Sequence, residues 1–133
     1  YGDPAAGWTD ALADWASRHG HKRVLEFFTD SRGLRKTADA MQAYAQAIRT
    51  AEVTNNGDRV LAEHIGNAHK RFINLRDEDG ERLWLIEKER SDSPFKIDGA
   101  MGGALSWTAR LDALAAGETG DSGDQATYGF AYA

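Results

Sequence analysis

Residues 93–107 read Ser-Pro-Phe-Lys-Ile-Asp-Gly-Ala-Met-Gly-Gly-Ala-Leu-Ser-Trp, a pattern that admits few structures. Ser93 can cap a helix and Pro94 suits its first position. Ile97, Met101, Leu105 and Thr108 recur at helical spacing, which predicts one stripe facing a core. Gly99, Gly102 and Gly103 each cost a helix about 0.5–1 kcal/mol relative to alanine, tolerable where backbone must approach another element closely. The segment therefore predicts a helix running to about Ala116 and pressed against a neighbour. Asp98 falls near the positive end of its dipole, next to apolar residues, a placement that asks for a reason.

The rest of the chain supplies candidates for that neighbour. Trp8, Ala11, Leu12, Trp15 and Ala16 predict a helix over 8–19, closed by Gly20. Residues 22–28, Lys-Arg-Val-Leu-Glu-Phe-Phe, read as a short buried strand. Thr37 is placed to cap a helix over about 37–52 that carries Met41, Tyr44, Ala45 and Ile48 on one face. After the Asn55-Asn56-Gly57 turn, Asp58 caps a shorter helix bearing Val60, Leu61, His64, Ile65 and Ala68. Phe72 to Leu75 and Leu83 to Ile86 flank Asp77-Glu78-Asp79-Gly80, a hairpin signal. Helices mixed with strands predict an α/β or α+β fold, and 133 residues suit one domain.

From Gly117 onward the sequence is glycine-rich and acidic, so residues 117–133 are predicted to be disordered. Without that tail's three acids, 18 acids face 16 bases, and charge alone announces no nucleic-acid partner. Bases still cluster locally at Lys70-Arg71, Arg76, Arg82, Lys88 and Arg90. No run of 18 apolar residues exists, so no membrane-spanning helix is expected. The absence of cysteine excludes disulfides and thiolate metal sites and agrees with an intracellular setting. The chain begins at Tyr1 with no signal-peptide pattern, as a piece cut from something longer would.

Three segments, in order, resemble the C-terminal nuclease region of the large terminase subunit of tailed bacteriophages, which packages and cuts phage DNA. Tyr1-Gly2-Asp3-Pro4 is similar to the family's YDP strand end. Residues 57–68, GDRVLAEHIGNA, are similar to its GDPVLxxHVxNA segment, and Lys96-Ile97-Asp98-Gly99-Ala100 to its KIDAA helix. Asn55-Asn56 and Arg59 depart from the family, where His-Asp and proline are common. The likeness covers about residues 1–116. It implies the C-terminal half of a ribonuclease-H-like fold, with a β-hairpin and a closing C-terminal helix. It also implies a metal-dependent endonuclease that cuts concatemeric DNA during packaging in the host cytoplasm, using Mg²⁺ or Mn²⁺. Its implied partners are double-stranded DNA, the portal protein, the small terminase subunit and the ATPase domain of the same subunit.

On the same resemblance Asp3 and Asp98 are the catalytic metal ligands, and a further acid lies ahead of Tyr1. This piece alone is therefore expected to cut DNA weakly or not at all. Two-metal hydrolysis needs carboxylates converging on ions about 3.5–4 Å apart, so only the fold can join residues this distant in sequence. Unaided by the family, Asp3 reads as a loop acid. His64 shares a stripe with Val60 and Ala68 and reads as a partly buried structural residue or one that steadies a metal ligand, and Asn67 as a cap or backbone anchor. Lys70, Arg71, Arg82, Lys88 and Lys96 are candidate DNA-phosphate contacts, against a solvated hairpin face as the plain reading. Trp8, Trp15, Trp84 and Trp107 are assigned to packing, and His19, His21 and His69 to the surface. A non-catalytic DNA- or portal-docking module is the alternative function.

Overall fold

A computed structural model describes residues 1–4 and 7–118. Along the chain come α1 (Thr9–His19), α2 (Leu34–Arg49), α3 (Arg59–Gly66), β1 (His69–Arg76), β2 (Arg82–Glu87) and α4 (Asp98–Ala115). A 3-10 turn, Ser31–Gly33, precedes α2. The fold is mixed α and β, with a two-stranded antiparallel sheet among the described residues. None of these helices is long and apolar enough to cross a membrane.

Helix α2 is the wall that the other elements share. Met41, Tyr44 and Ala47 bury against Ala104 and Trp107 of α4, while Ala38 buries against Ile73, Leu83 and Leu85 of the hairpin. The two helices run antiparallel: Lys36 near the start of α2 lies 4.0 Å from Asp112 near the end of α4. Ile48, in the last turn of α2, shares a crevice with Ala100 in the first turns of α4. Close approach is enforced at Gly103, where an added Cβ would fall 2.6 Å from Tyr44 Cζ.

The predicted stripe on α4 is turned by one residue. Gly99, Ala100, Ala104 and Trp107 are buried, whereas Ile97, Met101, Leu105 and Thr108 are half-buried. The closest contact selects the smallest residues, and the bulkier stripe flanks it. The helix also starts later than Ser93-Pro94 suggested. Its N-cap is Ile97, with no side-chain cap. Ser93 is buried and instead accepts at Oγ from the Phe95 N–H (3.3 Å).

Residues 22–28 do not form a buried strand. Among the described residues Gly2 alone pairs with them, donating to the Leu25 carbonyl (3.1 Å) and accepting from the Phe27 N–H (2.9 Å). A ladder one residue wide covers little, so Leu25 is 42% exposed while Phe27 is buried against the Tyr1 ring, 5.1 Å away. Helix α2 begins before Thr37, whose buried hydroxyl donates to the Phe28 carbonyl (3.4 Å) rather than capping. Trp8, Trp15 and Trp84 are half-buried, leaving Trp107 alone of the four in the core.

Other local signals hold. α1 closes at Gly20, whose φ is +94°. The hairpin turns on Asp77, which accepts at Oδ1 from the Asp79 and Glu81 N–H groups (3.0 and 2.8 Å), with Gly80 at φ +84°. Most of the acidic tail, residues 119–133, lies outside the described residues, and with it the expectation of disorder there.

Two substitutions test the shared wall. Leu83, fully buried, should cost about 2–5 kcal/mol on replacement by alanine. Gly103→Ala should destabilise by roughly 1–3 kcal/mol despite its better helix propensity, because the methyl meets the Tyr44 ring. Chemical denaturation of the two variants measures both costs.

Candidate functional site

The short helix α3 is built to hold the start of α4. Gly57, at φ +79°, turns the chain, and the Asp58 carboxylate accepts from the Val60 and Leu61 N–H groups (2.8 and 3.2 Å). That cap stabilises an eight-residue helix too short to persist alone. From it His64 accepts at Nδ1 from the Gly99 N–H (2.8 Å), and Asn67 donates from Nδ2 to the Lys96 carbonyl (3.1 Å). The neutral imidazole thus carries its proton on Nε2. A Cβ on residue 99 would lie 2.9 Å from His64 Nδ1, so glycine is what the clamp needs there.

Between the clamped residues stands Asp98, in the first turn of α4 and exposed to solvent. It has no hydrogen-bond or ion-pair partner among the described residues, and the positive end of the α4 dipole lies beside it. An exposed carboxylate on a fixed backbone is a suitable oxygen donor for a hard divalent cation.

Asp3 lies elsewhere. Its Oδ2 accepts from both the N–H (2.9 Å) and the hydroxyl of Thr29. Arg32 is nearby and forms an ion pair with Asp30 (2.7 Å), whose carboxyl it holds below the usual range through side-chain and backbone hydrogen bonds. Phe28, the neighbour of Thr29, meets α2 at Thr37, whereas Asp98 starts α4 level with the last turn of α2. The intervening stretch is roughly twelve residues of helix, or about 18 Å. No group of three or more His, Cys, Asp or Glu side chains converges among the described residues.

The basic candidates are largely engaged within the chain. Arg71 pairs with Glu87 (3.2 Å), Arg82 donates to the Ile73 carbonyl (3.2 Å), and Lys88 donates to the Ser93 carbonyl (3.1 Å). The Lys70 ammonium rests 4.5 Å from the Trp84 ring centroid. Lys96 is exposed, and among the described residues only its carbonyl is held. Sequence reasoning missed Thr29 as the partner of Asp3, and also the polar run Gln42, Gln46, Arg49 on α2. Its spacing of four and then three residues is a helical-face signal that was there to be read.

No protein-family profile, curated protein or solved structure matches this chain at a significant level.

If the clamp holds α4 as described, His64→Ala should lower stability by about 1–3 kcal/mol, leaving the Gly99 N–H without its acceptor. Asp58→Ala should cost about 1 kcal/mol through the lost cap. Amide hydrogen exchange should show both losses concentrated around residues 96–101.

Proposed function

We propose that this chain is the C-terminal part of a metal-dependent DNA endonuclease, the nuclease region of a phage terminase large subunit that cuts DNA during packaging. One observation carries the reading: His64 and Asn67 of one resembling segment clamp Lys96 and Gly99 of another, with the exposed Asp98 between them. Two segments that carry the likeness thus meet through the backbone on either side of a single acid.

In this reading Asp98 is a ligand for Mg²⁺ or Mn²⁺. When bound, the ion supplies activation of water and stabilisation of the leaving oxygen. The chain's own residues do the positioning. His64 and Asn67 fix the backbone on either side of Asp98, and Lys96, two residues before it, offers a cation to the substrate phosphate. Asp3 is the second ligand that the resemblance assigns, and its distance from Asp98 leaves the ligand set incomplete within this chain. The same separation favours a second reading, a docking module for DNA or the portal that performs no hydrolysis.

Metal binding decides between them in a protein carrying the complete nuclease region. Asp98→Asn should abolish Mn²⁺ binding and DNA cleavage, and His64→Ala should weaken both by about 10–100-fold. Unchanged Mn²⁺ affinity in Asp98→Asn sinks the nuclease reading. The present chain by itself should show weak plasmid cleavage or none.

A further inference from the structure

Beside the hairpin lies an open groove of about 530 Å³ lined by Gln42, Ala43, Gln46, Arg49, Lys70 and Trp84. Its lining holds two cations and two primary amides and no carboxylate. Neither Arg49 nor Lys70 has an acidic partner among the described residues, unlike Arg18, Arg32, Arg71 and Arg90, each of which forms an ion pair.

Both cations are set in place. Gln46 accepts at Oε1 from Arg49 Nη2 (2.7 Å), which orients the guanidinium and leaves its other N–H groups to bond outward. Trp84 seats the Lys70 ammonium on its ring. A planar guanidinium presents paired donors that suit a phosphate. Gln42 and Arg49 are seven residues apart on α2, about 10 Å of helix, or about three nucleotide steps at 3.4 Å of rise per strand.

The groove also leads toward Asp98. Lys70 and Trp84 are shared with the adjoining apolar crevice, whose walls include Ile65 of α3 and Ala100, two residues beyond Asp98. We infer that this groove seats the phosphodiester backbone of a DNA strand, with Arg49, Gln46 and Gln42 as contacts on α2 and Lys70 as the contact on the hairpin. The inference rests on the DNA-cutting reading for its ligand class, and on the groove for its residues.

The test is binding of a fluorescein-labelled 20-base-pair duplex and of the corresponding single strand by this chain, measured by anisotropy in EDTA across a salt series. Working without metal separates the groove from the nuclease reading, which stands or falls on Asp98 and Mn²⁺. Arg49→Gln should lower the salt slope by about one, and Arg49→Gln/Lys70→Gln by about two, with affinity down roughly tenfold at 0.1 M salt. Gln46→Ala should weaken binding through the freed guanidinium. Preference for either strand form, with this sensitivity, supports the groove and identifies which form it takes. Lys22→Gln/Arg23→Gln removes the same charge from an exposed turn and should change little. Equal weakening by that control, no binding of either DNA by the parent chain, or a groove-dependent affinity for polyglutamate with none for DNA each overturns the inference. Circular dichroism verifies that the exposed substitutions leave the fold intact.

Discussion

The contact of α4 on α2 is what the remaining structure depends on. Ala104 is fully buried there and Gly103 faces the Tyr44 ring, so the two backbones approach as closely as their side chains permit. Glycine weakens α4 as an isolated helix, yet the lost propensity is small beside the burial of Met41, Tyr44 and Trp107 that close approach allows. α4 runs antiparallel along α2 against Met41, Tyr44 and Ala47, and the hairpin packs on α2 at Ala38, where the residue again is small. The length of α2 therefore sets the distances in the molecule. It separates Asp3, tethered near its first turn, from Asp98, level with its last.

Helix α3 and the start of α4 stabilise each other. Ile97 offers no capping side chain, so one of the unsatisfied donors at the start of α4 is satisfied by His64 from a different element. In return α3, which has no buried residue of its own, is held by that bond and by Asn67. A cap supplied across the fold fixes the orientation of two helices at once, which a local serine cap does not. The backbone around Asp98 is accordingly held on both sides while its carboxylate stays in water.

The features legible in the sequence are those decided within a few residues. Asp58 caps because its own chain presents Val60 and Leu61 N–H groups, and Asp77 with Gly80 turns the hairpin for the same local reason. The misreadings involve partners far along the chain. Pro94 resembles a helix start, but the clamp from α3 engages only at Lys96 and Gly99. Residues 22–28 resemble a strand in composition, but a strand needs neighbours, and only Gly2 provides one among the described residues. The turn of the α4 stripe followed the position of Tyr44, which periodicity along one helix does not contain. For the candidate site, the Asp98 segment was visible as a likeness, whereas its support by His64 and Asn67 needed the fold.

Charge shows the same division between composition and arrangement. A nearly neutral body gives no hint of an anion site, yet ion pairing is uneven across it: Arg71 and Arg90 are neutralised by nearby acids while Arg49 and Lys70 are not. On the proposed reading a phosphate backbone in that groove approaches the exposed Asp98. Two like charges 4 Å apart repel by about 1 kcal/mol even at the dielectric constant of water, and by more near a protein surface. A bare carboxylate therefore opposes DNA at the end of its own track. On that reading Asp98 would hold a divalent cation, which would reverse the sign of that term and let the acid anchor the phosphate rather than repel it. Metal at the carboxylate would therefore add to what the groove binds without it, so DNA affinity and metal affinity at this end of the molecule should rise together.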